Sequence, residues 1–373
     1  MLYLDHAATT PMLPEVWEAM RPFAAENFGN PASAHTAGRK ARQALEDARE
    51  RIANCLGASP DEVIFTSGAT EANNLALFGL AGSPPGHILA SPIEHPCVME
   101  PLRQLAARGF DVEYLPVDVN GIVSVDKFRE CFRSDTRLAT VMLVNHETGA
   151  VQPIQGFNTQ YSILHTDAAQ AVGKLPVSFH DLNVTSLSLS AHKFGGPKGV
   201  GALVLHKGSK LAPQLFGGHQ QHGQRPGTEP VALAVGMAAA LEIATACLND
   251  STETMCRLRD QFLNHLRTAC PPVVVNSPAH GSPYIVNVSF PGCRADLLLM
   301  KLDLAGIACS TGSACSSGSL LPSPVLQAME VPDDVLRSAM RFSFGPGTTT
   351  ELMNEAARRI ADCVKRLRPV SAS

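Results

Sequence analysis

Between residues 38 and 57 the chain reads "GRKARQALEDARERIANCLG". Ala41, Leu45, Ala48 and Ile52 recur there at the three- and four-residue spacing that lines one face of a helix, and charges fill the rest. Gly57 stands where such a helix would stop. The period then changes. "EVIFTSG" is a short apolar run, and a helical stretch follows from about Thr70. The runs "HILAS", "VEYLPV", "LATVMLV", "SILHTD", "SLSLS" and "GVGALVLH" come next, most of them separated by helical segments. Short apolar strands alternating with helices predict an α/β fold whose largely parallel sheet is covered on both faces. The apolar stretch 231–248 is rich in Ala and interrupted by Glu242, which predicts a packed core helix rather than a membrane span.

After about residue 250 the texture shifts. A charged helix over about 252–269 precedes "YIVNVSF", another helix, a Gly/Ser-rich loop, "RFSFG" and a closing helix. This predicts a smaller α+β domain to which the N-terminal arm also belongs. The expected division is a large α/β domain over 14–250 and a small domain of 1–13 plus 251–373. A chain of 373 residues can bury such cores without disulfide support.

Composition narrows the class. The 30 Lys and Arg are nearly balanced by 34 Asp and Glu, and no basic block is present, so direct nucleic-acid binding is not expected. The start, "MLYLDHAATT", lacks both the positive and the apolar region of a secretory leader. The ten cysteines contain no CxxC pair and no metal-like Cys/His spacing. Reduced thiols, no metal and a cytoplasmic location are the expectation.

In open α/β sheets ligands sit beyond the carboxyl ends of the strands. "TSGATEANN" places a helix start near Thr70 directly after a strand, an arrangement suited to a phosphate, although an ordinary helix cap uses the same residues. The GxxxxGK[ST] loop of nucleotide triphosphatases is absent. Asp167 ends an apolar strand, where a carboxylate is costly unless a cation meets it or it caps a helix. A protonated pyridine nitrogen is such a cation, and Gln170 is near enough in sequence to reach the ring's phenolic oxygen. Lys193 follows another strand in "SLSLSAHKFGGPKG" and is suited to an imine with an aldehyde, with Ser190 and His192 flanking it. His95 of "SPIEHPCV" also follows a strand and could move protons above a ring. In "ACSTGSACSSGS" nothing apolar pins the loop, so Cys315 is the thiol placed to act as a nucleophile. Cys309 reads as a small buried residue. Cys55, Cys97, Cys131, Cys247, Cys256, Cys270, Cys293 and Cys363 read as helix or core positions.

Taken in order, "YLDHAATTP", "FGNPASAH", "FTSGATEANN", "IEHPCV", "HTDAAQAVGK", "SAHKFGGPKG", "RPGTEP", "STGSACSS" and "RFSFG" resemble the cysteine desulfurase family. These are fold-type I enzymes dependent on pyridoxal 5'-phosphate (PLP), and the match runs nearly end to end. The resemblance implies that Lys193 binds PLP, Asp167 faces its pyridine nitrogen, His95 stacks on the ring and Gln170 bonds the phenolic oxygen. Ala69 would join Thr70, Ser190 and His192 in holding the cofactor, the last three at its phosphate. Thr228 would reach in from a second subunit of a homodimer. Arg341 would grip the carboxylate of L-cysteine, and Cys315 would receive the sulfur for an acceptor protein. An iron–sulfur cluster scaffold or a tRNA- or DNA-modifying protein would all serve as that acceptor.

Three positions depart from the family pattern. His146 of "NHETG" stands where an Asn lies near cofactor and substrate, Pro346 replaces an arginine, and the stretch from Gln152 to Asp167 is about one turn short. The chain is also similar to selenocysteine lyases and to desulfurases of DNA phosphorothioation. Selenocysteine lyase activity and a non-catalytic scaffold for sulfur-transfer partners stand as the alternative readings.

Overall fold

The computed structural model describes residues 1–157, 163–311 and 322–368. Cys315 and part of the short stretch before Asp167 lie outside them. The first half of the chain forms β1 (Leu2–Tyr3), α1 (Pro14–Ala25), α2 (Thr36–Leu56), β2 (Val63–Thr66), α3 (Ala69–Leu80), β3 (His87–Ala90) and α4 (Pro96–Ala107). There follow β4 (Asp111–Tyr114), α5 (Val125–Cys131), β5 (Thr136–Thr140), β6 (Ile163–Asp167), α6 (Phe179–Leu182), β7 (Ser186–Ser190) and β8 (Gly201–Leu205). The second half holds α7 (Val231–Ala246), α8 (Leu248–Ala269), β9 (Val274–Val275), β10 (Ile285–Ser289) and α9 (Ala295–Leu304). It closes with β11 (Ile307–Ala308), α10 (Pro324–Ala328), α11 (Asp333–Leu336), β12 (Ala339–Ser343) and α12 (Thr350–Leu367).

A seven-stranded sheet runs in the order β2-β8-β7-β6-β5-β3-β4. Strands β7, β6, β5, β3 and β4 are parallel, whereas β8 is antiparallel to both of its neighbours. The sheet is therefore mixed but mostly parallel, as the alternation of strands and helices predicts. Strands β2, β3, β7 and β8 are buried along their whole length, which is why they read as apolar runs instead of alternating with water-facing residues. "SLSLS" is the exception in pattern but not in burial. Its Leu187 and Leu189 join the main apolar cluster, and Ser186 pairs through Oγ with His165 Nδ1 at 2.8 Å.

The predicted face of α2 is buried at Ala41, Leu45, Ala48 and Ile52, and Gly57 closes the helix in the left-handed region at φ 59°. Helix α7 is a core helix, and Gly236 lets α1 approach it: a Cβ there would lie 2.4 Å from Met20 Sδ. The run "LATVMLV" is a regular strand only to Thr140. The backbone N–H groups of Val141 and Leu143 still bond to the carbonyls of His165 and Asp167, and the chain then turns through the buried Asn145–Ala150 segment toward the site. The charged helix starts at Leu248, earlier than its charge pattern suggests, because it follows α7 directly through a bend of 68°. No single helix among the described residues is long and apolar enough to cross a membrane.

A second sheet, β12-β10-β9, is antiparallel. Phe262 of α8, Phe290, Phe342 and Phe344 pack around it, and α12 turns Met353, Ala357, Ile360 and Val364 inward at helical spacing. The N-terminal arm joins this cluster. Strand β1 pairs in parallel with β11, and Leu4 and Ala7 are buried in the same apolar cluster.

Candidate active site

The carboxyl ends of β3, β5, β6 and β7 lead into the segments that carry the polar residues singled out from the sequence. At the end of β6, Asp167 is only 4 % exposed. Its Oδ2 accepts from Asn73 Nδ2 of α3 at 2.8 Å, and its Oδ1 accepts from the Ala169 backbone N–H at 2.9 Å. Both donors are neutral. The carboxylate thus caps the turn after the strand and is also available to a cation.

Strand β7 runs into a tight turn over Ala191–Lys193. The N-terminal arm staples this turn. Thr10 Oγ1 donates to the His192 carbonyl and accepts from the Gly195 N–H, both at 2.8 Å. Thr9 Oγ1 lies 3.1 Å from His192 Nδ1. Lys193 Nζ donates to the carbonyls of Ala7 at 2.5 Å and Ala8 at 2.9 Å. Helix α3 begins beside these groups, where Gly201 closely approaches Gly68: a Cβ on Gly201 would stand 2.7 Å from the Gly68 Cα.

A cavity of about 530 Å³ opens among these elements. Ala69, Thr70, Ser190 and His192 line it, as do His95, His146, Asp167, Gln170 and Lys193. Residues far apart in the chain are therefore brought to one place, and the volume suits a small organic cofactor with its substrate.

His95 caps α4, and its Nδ1 accepts the Cys97 backbone N–H at 3.1 Å. That bond places the proton of the neutral ring on Nε2. The rings of His95 and His146 meet edge to face at 5.0 Å. Burial lowers the pKa of His95, reinforced by Lys193 and Arg341 against the opposing pull of Asp167. Burial also lowers His146 well below the usual range, with His95 adding to the effect, and takes His192 down to about 4. At neutral pH these imidazoles are uncharged and can pass protons.

Two predicted residues stand elsewhere. Thr228 lines a separate cavity with Phe28, Asn30 and Pro230. Arg341, on β12, is buried and not among the lining residues of the 530 Å³ cavity. Its Nη2 pairs with Asp5 Oδ1 at 2.9 Å, and its Nη1 donates to the His146 carbonyl at 3.0 Å.

Sequence reasoning passed over Cys97, which the structure moves from the core to the cavity wall. Its Sγ lies 2.9 Å from His95 Nδ1 and accepts from Asn73 Nδ2 at 3.1 Å. A capping His turns back over the first helical turn, so the residue two places on was the signal. Burial and then Asp167 push the thiol's pKa up, so it remains protonated. Asn73, Lys174 and Asp5 were passed over as well. Cys309 is half-buried, its thiol pushed up to about 12 by burial, in keeping with an inert residue.

The profile of the Aminotransferase class-V family matches residues 2–354, and the chain belongs to that family. Within it, the chain is a member of the cysteine desulfurase family. It is 44 % identical over 378 residues to the cysteine desulfurase IscS of Dictyoglomus turgidum, covering 99 % of this chain and 96 % of that one. A solved NifS-like protein superposes with a TM-score of 0.93 at 36 % identity, covering 98 % of this chain and all of the other. DndA from Streptomyces lividans superposes with a TM-score of 0.78 at 39 % identity, covering 92 % of this chain and all of DndA. The fold is thus that of the fold-type I PLP enzymes.

Proposed function

We propose that this protein is a PLP-dependent cysteine desulfurase, which converts L-cysteine to L-alanine and takes the sulfur onto Cys315 as a persulfide. The observation that carries the reading is the convergence of Lys193, Asp167 and His95 on one cavity. The donor set suits PLP. Asp167 is a buried carboxylate held only on neutral donors among its described bonds, ready for a pyridinium nitrogen. The N-terminus of α3 with Thr70, together with Ser190 and His192, suits the phosphate. Lys193 supplies the amine for the aldehyde.

PLP, when bound, acts as an electron sink for the substrate's α-carbon. Lys193 then provides the base for the α-proton, and His95, neutral with its proton on Nε2, is suited to exchange protons above the ring. Arg341 orients the substrate carboxylate. The Cys315 thiolate attacks the substrate sulfur, the Cβ–S bond breaks, and alanine is completed by one proton delivered to Cβ and one returned to the α-carbon. The persulfide then passes to a protein acceptor.

The same reading makes the protein a homodimer with Thr228 reaching the partner's site. Phe28 and Phe216, 79 % and 88 % exposed, supply apolar surface for that contact. It also divides the chain into 14–250 and 1–13 plus 251–373, supported by the separate apolar clusters around the two sheets.

Mass spectrometry of Cys315 after incubation with L-cysteine tests the reading, with selenocysteine run in parallel. One added sulfur on Cys315, with stoichiometric alanine, is expected. Full sulfur release by Cys315→Ala would sink the nucleophile assignment, and alanine from selenocysteine alone would favour a lyase.

A further inference from the structure

Lys174 is a lysine in a place where a chain ordinarily puts methionine or leucine. It is only 4 % exposed, and burial, with Lys193 and Arg341 adding to it, lowers its pKa to about 7. It follows Gln170 by four residues on the helical turns after β6, so the two side chains share a face. Its Nζ donates to Gln170 Oε1 at 2.9 Å. The other end of that amide, Nε2, donates to the Ala7 carbonyl at 2.8 Å. The same carbonyl receives Lys193 Nζ at 2.5 Å.

An amide side chain presents an acceptor and a donor of nearly equal shape, and its neighbours decide which way it faces. Here they agree. A backbone carbonyl can only accept, so it takes the NH2 end. The lysine nitrogen, charged or neutral, has an N–H to give, and the oxygen is the end that can take it. The reversed amide would set its oxygen against the Ala7 carbonyl oxygen. With both ends held, Gln170 has one further N–H to offer, and the residue lines the cavity. Without Lys174 the buried Oε1 would lack that donor, and the side chain would leave its place to find another.

We propose that Lys174 is a positioning residue that clamps Gln170 from behind, so that Gln170 acts solely as a hydrogen-bond donor to the phenolic oxygen of bound PLP. This rests on the cofactor reading above. A donor at that oxygen stabilises its anionic form and draws electron density from the nitrogen joined to Lys193, so loss of the donor raises that nitrogen's proton affinity.

The test uses the PLP-loaded full chain and follows the visible absorption of the cofactor linked to Lys193 against pH. Lys174→Met is expected to raise the apparent pKa of this chromophore by about one unit, a tenfold change in proton affinity. Gln170→Ala should raise it by a similar amount, and the double variant by no more than the larger single shift. Equal Lys174→Met shifts with and without Gln170 would mean that the lysine acts by its charge alone and would overturn the inference. An unshifted titration would do the same. Should Lys174→Met not fold, Gln170→Glu decides: its carboxylate keeps the Lys174 contact but cannot donate. The same upward shift is expected, and an unchanged titration overturns the clamp. A wild-type protein that forms no chromophore at Lys193 would overturn the cofactor reading itself, before any variant is compared.

Discussion

Arg341 and Asp5 form an ion pair at 2.9 Å across the join between β12 and the N-terminal arm, with the guanidinium almost wholly buried. The group proposed to receive the substrate carboxylate is therefore already aimed by a carboxylate from the first turn of the chain. Arg341→Lys keeps the charge but loses the planar fork. Steady-state kinetics should give a KM for L-cysteine about 10- to 100-fold higher, with kcat little changed and cofactor absorption intact. An unchanged KM would contradict the assignment. Asp5→Ala, which leaves the buried guanidinium without its ionic partner, should cost about 3 kcal/mol in urea unfolding.

Lys193 is held by the carbonyls of Ala7 and Ala8, within reach of the cavity. Borohydride reduction of the PLP-loaded protein, followed by digestion, should leave a pyridoxyl group on this residue. Lys193→Ala should lose that label and lower turnover at least about 10³-fold, since linkage and proton transfer fall together. A label on another lysine would contradict the site.

Cys97 touches His95 and Asn73, and burial keeps its thiol protonated. Alkylation of the native protein at pH 8 should leave Cys97 unmodified, as peptide mapping would reveal. Cys97→Ala should lower kcat about fivefold through a less well-oriented His95, with KM nearly constant. Rapid labelling of Cys97 would refute the protonated, enclosed thiol.

His165 lies fully buried between Asn73 and Ser186, and burial lowers its pKa to about 4. In the unfolded chain a histidine takes its proton near pH 6.5. Between these values the unfolded state binds the extra proton, so stability falls as the pH falls. The stabilisation is complete above about pH 6.5 and lost progressively toward pH 4, a window of about 3 kcal/mol for this residue. Urea titrations across that range should show the loss, and His165→Asn should flatten it. A pH-independent midpoint in the wild type would rule this out.

The order of strands and helices, the buried face of α2, the stop at Gly57 and the positions of Asp167, Lys193 and His95 were all legible in the chain, because each depends on local periodicity or on a polar residue placed at a strand end. Two places were less so. "LATVMLV" leaves the regular strand after Thr140, since its later residues must carry the chain into the site, and "SLSLS" is buried on both faces despite its alternation.

What the amino-acid order determined by itself was the set of elements and the kind of chemistry their ends could hold. Tertiary packing alone decided that Asp5 would occupy Arg341 and that Gln170, with Lys174 four residues on at its other end, would meet the Ala7 carbonyl. Those contacts join the N-terminal arm, the turn after β6 and a strand of the second sheet. No local pattern encodes the contacts that the arm makes, because partners so far apart in the chain are chosen by where packed surfaces meet.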